Sequence, residues 1–201
     1  VGLSALEHAI ARVGDELQVE LHFHPFELNP QMAAESEDVI EHLTRKYGIT
    51  EVQVAQNSEA IRARGEALGF VFDMARRRRI HNTFDAHRLL HWAGEQGAAQ
   101  QRALKHALLR AYFTAGEDVS SPEVLAAVAE QAGLDVARAR AILASDEYAG
   151  AVRAQEDFYR QQGIQAVPSV IFNDRHLVQG GQPVEVFEQA LRQLSGIAAS
   201  A

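Results

Sequence analysis

Apolar residues recur at helical spacing from the start of the chain, at Leu3, Leu6, Ile10 and Val13, and Gly14 ends the run. The period then shortens to two. Leu17, Val19, Leu21 and Phe23 alternate with Gln18, Glu20 and His22, predicting a strand over Leu17 to Phe26, closed by Pro25 and Pro30. From about Ser36 to Gly163 the pattern is helix after helix. Asp38 to Tyr47 stops at Gly48, and Thr50 caps a long helix ending near Gly69. Phe70 to Ile80 is irregular or briefly extended, Asn82 or Thr83 caps a helix through Trp92, and Gln100 to Tyr112 stops at Gly116. Ser121-Pro122-Glu123 opens a helix with proline at its first position, and Asp135 and Asp146 are expected to cap two more.

After Gly163 the grammar changes again. Ala166 to Phe172 reads as a strand entered through Pro168, Asn173-Asp174-Arg175 as a hairpin turn, and His176 to Gln179 as the partner strand. Gly180-Gly181 breaks it. Gln182-Pro183 then opens a helix with Val186, Phe187, Ala190, Leu191 and Leu194 on its apolar stripe, and the tail Ala198 to Ala201 is expected to fray.

Composition narrows the chemistry. Apolar residues are 47% and charged residues 23% of the 201, an ordinary globular balance. The formal charge of −8 argues against a general nucleic-acid binder, which needs a basic face to displace counterions. No apolar run is long enough to cross a membrane. Cysteine is absent, which removes disulfides, thiolate zinc sites and cysteine nucleophiles from these residues.

Four blocks carry a family resemblance: FHPFELNP (Phe23 to Pro30), NTFDAHRLLHWA (Asn82 to Ala93), LLRAYFTAGEDVSSPEVLAAVAEQAGLD (Leu108 to Asp135) and GIQAVPSVIFNDRHLVQGGQP (Gly163 to Pro183). In this order, over nearly the whole chain, they resemble the DsbA-like thiol–disulfide oxidoreductases, FrnE-type branch. The resemblance implies an α/β thioredoxin-like fold with a large all-helical insertion. Residues 1–35 and 164–201 would form the discontinuous thioredoxin-like domain, and residues 36–163 the insertion. The fold's first strand is absent from these residues. In the family a Cys-x-x-Cys pair lies between that strand and the first helix, where the helix N-terminus stabilises a thiolate. Val1-Gly2-Leu3 resembles the step just after this motif, so the redox cysteines are expected before Val1. The missing strand would lie between Leu17 to Phe26 and Val167 to Phe172, leaving both with unpaired backbone groups toward a gap.

The resemblance also implies site residues. Val167-Pro168 would be a cis-proline loop facing the redox pair, with the Val167 backbone open to a peptide or thiol; read alone, Pro168 is a trans proline at a strand start. Asn82, His87 and Arg88 would line the cleft between the domains, although helix capping also accounts for Asn82. Glu27 and Asn29, on the loop after the first predicted strand, are further cleft candidates. Gln182 opens the last helix, where exposed amides favour a carboxylate.

His87 and His91, four apart on a helix, and His22 and His24, two apart on a strand, have metal-pair spacing without a third ligand; the reading is no metal. Arg76 to Arg79 reads as a solvated loop in an acidic chain rather than a nucleic-acid patch. The function expected is thiol–disulfide exchange with protein or small-molecule thiols and disulfides. No cofactor, nucleic acid or membrane is expected, glutathione is a possible substrate, and a cytoplasmic setting is the working assignment. A glutathione-dependent kappa-class transferase or 2-hydroxychromene-2-carboxylate isomerase, and a non-catalytic binding module or holdase, are the alternatives.

Overall fold

The computed structural model describes residues 1–33 and 35–196, so the tail expected to fray lies outside the described residues. Helix α1, Gly2–Val13, buries Gly2, Ala5, Leu6, Ala9 and Val13 on one stripe. That stripe packs along α9, Val184–Ser195, which buries Val184, Phe187 and Leu191 in return. The helices are also tied by Arg12, which reaches Glu185 at 2.9 Å and Glu188 at 3.4 Å.

A second apolar cluster lies in the helical block, built by α4 (Phe84–Gln96), α5 (Ala98–Arg110), α6 (Pro122–Gln131) and α7 (Val136–Leu143). Its centre is Leu89, Ala93, Leu104, Leu125, Ala129 and Ile142, all fully buried. α5 runs on into a π-helical turn, Ala111–Ala115, which Gly116 ends in the left-handed conformation. Before this block stand β1 (Glu37–Asp38), α2 (Val39–Tyr47), α3 (Glu51–Ala67) and β2 (Arg79–Ile80). Asp38 caps α2, and Thr50 with Gln53 forms a reciprocal capping box at α3. β1 and β2, two residues each, pair antiparallel; β2 falls in the briefly extended stretch expected before Ile80, whereas β1 and the pairing were not announced by the hydrophobic pattern.

α8, Ala149–Gln161, leads back toward the first cluster. It starts three residues after Asp146, whose side chain does not cap it; Tyr148 takes the N-cap position with φ 63°. β3 (Ser169–Phe172) and β4 (His176–Gln179) then form the expected hairpin. Asn173 and Asp174 carry φ 51° and 53°, the left-handed pair that a tight turn demands and that asparagine and aspartate tolerate.

One expected element is not formed. Leu17 is extended at φ −144° and ψ 127°, but Leu17 to Phe26 carries no regular secondary structure and enters no ladder. Leu17, Val19 and Leu21 still face the α1–α9 cluster beside Val170, Phe172 and Val178, so the alternation sets the inward face as expected. What is missing is a partner, because a strand exists only through hydrogen bonds to a neighbour. Among the described residues the backbone groups of Gln18 to His22 make no hydrogen bond. Between this segment and β3 runs a groove of about 210 Å³, floored by Leu6, Leu191 and Leu194 and walled by Leu17 to Leu21 and Val170 to Asn173.

Candidate functional site

Four segments converge at the start of α1. The Val167–Pro168 bond is cis, and the Pro168 ring lies against Gly2: a Cβ on Gly2 would fall 2.6 Å from the proline Cγ. A Cβ on Gly181 would lie 3.9 Å from Val1 Cγ1 and 3.5 Å from Arg64 Nη2, ordinary contact distances that place all three residues together. The Pro168 carbonyl accepts from the Gly180 amide at 2.8 Å, which seats the proline loop on the Gly180-Gly181 break. Gln182 belongs to the same turn, its side chain donating to the Gln179 carbonyl at 2.7 Å.

Val167 is 42% exposed, and among the described residues its amide and carbonyl make no hydrogen bond. It is an open edge for an extended partner. α1 has no side-chain cap and no acidic residue in its first turn, so its N-terminal amides and positive dipole end are unopposed. Arg64 adds a full charge. It reaches from α3 and donates to the Gly181 carbonyl. The arrangement favours an anion at the start of α1 beside an unpaired backbone edge.

The other candidate residues are held elsewhere. Asn82 accepts from the Phe84 amide at 2.9 Å and donates to the Met32 carbonyl at 2.9 Å, pinning the incoming loop to α4. Arg88, 4% exposed, donates to the carbonyls of Glu147, Ile142 and Ser145 and pairs with Asp85, clamping α4 to the end of α7. Glu27, 3% exposed, pairs with Arg153, while its amide donates to the fully buried Glu156 at 2.8 Å. Desolvation raises the Glu27 carboxyl above its ordinary range, against the pull of Arg153. Asn29 accepts from Lys46 at 2.5 Å on the outside of the same loop. These bonds fix the frame around Phe23 to Pro30, and none of these side chains joins the Pro168 cluster.

His87 is pushed down to about 3, first by burial and then by Lys105, with the Phe26 backbone opposing. It is therefore a neutral imidazole at any ordinary pH. His24 tilts over Tyr159 at 4.8 Å and His91 over Tyr148 at 5.2 Å. Among the described residues no group of three or more metal-ligating side chains comes together. The arginine run is likewise partnered locally: Arg76 with Asp73 at 3.3 Å, Arg77 over the rings of Tyr112 and Phe113, Arg78 with the Ala75 carbonyl and Arg79 with Ser36.

Gly2 and Gly181 enter the sequence reading only as a helix step and a strand break, and Arg64 does not enter it at all. For Arg64 a signal existed. Arg62 has Glu59 and Glu66 at helical spacing and pairs with both, whereas Arg64 has no acidic residue three or four positions away.

With this geometry in view, the comparisons are decisive for the family. The model of the DSBA-like thioredoxin domain matches residues 1–192, and the chain belongs to that family. A solved structure described as a probable DsbA oxidoreductase from Streptomyces coelicolor is 35% identical. It superposes with a TM-score of 0.87 over 100% of this chain and 86% of the other. A 2-hydroxychromene-2-carboxylate isomerase is similar at 15% identity and a TM-score of 0.67, over 99% of this chain and 95% of that one, a likeness of fold alone. No curated protein matches the chain. Among the described residues no helix is long and apolar enough to cross a membrane.

Proposed function

We propose that this chain is the scaffold and substrate face of a thiol–disulfide oxidoreductase, working with a Cys-x-x-Cys pair carried by a strand seated in the groove between Leu17 to Leu21 and β3. The observation that carries this reading is the groove itself. One wall is the β3 strand and the other the unladdered Leu17 to Leu21, its floor is apolar, and it adjoins the α1 stripe whose N-terminus meets Pro168. Residues 1–35 with 164–201 then act as the thioredoxin-like unit and residues 36–163 as the helical insertion, in keeping with the two apolar clusters.

The chemistry follows from the field at α1. An attacking thiolate at the helix start breaks a substrate disulfide, forms a mixed disulfide and releases one substrate thiolate. The second thiolate of the pair attacks the enzyme-side sulfur and releases the second substrate thiolate. The pair ends as a disulfide and the substrate as two thiols, and the reverse sequence oxidises a dithiol. Val167 offers its free amide and carbonyl to the substrate chain next to the sulfur, so protein and small-molecule thiols, glutathione among them, are the substrate class.

The test is an insulin-reduction assay on two proteins. Residues 1–201 alone, without cysteine, should be inert. The same residues preceded by a strand and a Cys-x-x-Cys pair should reduce insulin, and the first cysteine changed to serine should abolish it. Turnover by the cysteine-free chain, or inertness with an intact pair, overturns the reading.

A further inference from the structure

We infer that Arg64 is a positioning residue of this site: its guanidinium, held at the Gly181 carbonyl beside the start of α1, sets the ionisation of the sulfur that works there. The inference rests on the oxidoreductase reading above.

The argument begins with what holds the side chain. Arg64 lies on the last turns of α3, whose end is fixed on two sides. Gly65 is buried against the Phe72 ring so closely that no side chain fits between them, and Leu68 packs on the α1–α9 cluster. With the helix end anchored at both contacts, Arg64 has a short reach to the glycine break, where it donates to the Gly181 carbonyl. That carbonyl takes up only part of a five-donor fork. Among the described residues no carboxylate pairs with Arg64, although its neighbour Arg62 binds Glu59 and Glu66. The remaining positive charge therefore acts on whatever stands at the start of α1.

A helix N-terminus contributes only a partial charge that fades within one turn. A guanidinium adds a whole one, and it comes from the helical insertion rather than from the thioredoxin-like unit. Docking of the insertion thereby controls the acidity of the sulfur. At a separation of about 6 Å in a water-like surrounding, such a charge shifts the thiolate fraction about threefold. Because Arg64 is exposed, added salt screens the effect.

One titration tests this. In the protein bearing the Cys-x-x-Cys pair, thiolate absorbance should titrate about half a unit higher in Arg64→Gln at low salt, and high salt should shrink the difference. Its reduction potential should move toward the more reducing side, with rescue by Arg64→Lys. Identical titrations in wild type and Arg64→Gln overturn the role of Arg64 while exchange itself persists. Absence of exchange in the wild-type protein with an intact pair overturns the oxidoreductase reading instead.

Discussion

Gly2 and Pro168 approach so closely that a single methyl group on Gly2 would sit 2.6 Å from the proline Cγ and 3.1 Å from its Cβ. One contact thus joins the first helical residue to the loop that precedes β3, more than a hundred and sixty positions later in the chain. The proline ring cannot swing aside as a long side chain would, so any Cβ at position 2 must displace the loop.

Gly2→Ala is accordingly expected to separate Pro168 from α1. Overpacking of this kind costs about 1–3 kcal/mol, which corresponds to a fall of roughly 2–12 °C in Tm for a chain of this size. Calorimetry would show the fall. Binding of an extended peptide at Val167 should weaken together with it. An unchanged Tm with unchanged peptide binding would mean that the two segments do not depend on each other.

Arg88 separates a structural strut from a ligand contact. Its guanidinium serves carbonyls at Ile142, Ser145 and Glu147 across the α4–α7 junction and pairs with Asp85 on its own helix. Arg88→Ala strips the Ser145 and Glu147 carbonyls of their Arg88 donor, while the Ile142 carbonyl keeps the Ser145 amide and hydroxyl, and is expected to destabilise the helical block by about 3 kcal/mol. Denaturant titration measures the loss. At a temperature where both proteins are folded, peptide binding should stay close to wild type. A variant with wild-type stability and poor binding would return Arg88 to the cleft.

Much of the architecture was legible because it is written in local signals. Asp38, Thr50, Ser121 and Asp135 each cap the helix they were expected to open, since a cap needs only a neighbouring amide. The hairpin after Pro168 follows from Asn173-Asp174 in the same local way. What failed to be legible depends on partners far along the chain. Leu17 to Phe26 has strand alternation but no ladder, and Glu37–Asp38 has a ladder with Arg79–Ile80 but no strand-like pattern. The site divides along the same line. Pro168 announces itself by residue type and setting. Glu27 and Arg88 have suitable chemistry but point into bonded frames, and Arg64 becomes visible only once α3 is laid against Gly181.

The unpaired wall of the groove should exchange its amide hydrogens. Alternate amides from Gln18 to His22 face a neighbouring strand position that the described residues leave open. In residues 1–201 alone these amides are expected to exchange faster than those paired between β3 and β4. A seated strand should slow them by about tenfold or more, readable by hydrogen-exchange mass spectrometry. Protection of Gln18 to His22 equal to that of the hairpin, in the chain alone, would show that the groove closes on itself.

His87 makes stability depend on pH with a definite sign. Burial first, then Lys105 and Arg153, press its pKa from the ordinary 6.5 to about 3, while the Phe26 backbone pulls the other way. Between these values the unfolded chain binds a proton that the folded chain refuses. Stability therefore falls as the pH drops from about 6.5 toward 3, and above 6.5 the imidazole is neutral in both states and contributes no slope. The slope from this residue is at most about 1.4 kcal/mol per pH unit. Desolvation also lowers the Lys105 pKa, so the folded state already disfavours a second charge beside it. His87→Gln keeps a polar side chain near Phe26 and removes the titration. Urea denaturation at pH 7 should then find the variant equal to or slightly weaker than wild type, because a packing contact has changed. At pH 4.5 the order should reverse, with the variant losing less of its neutral-pH stability. Parallel losses in the two proteins across that range would mean that His87 takes up a proton in the folded state, and that the cleft beside Phe26 is open to water.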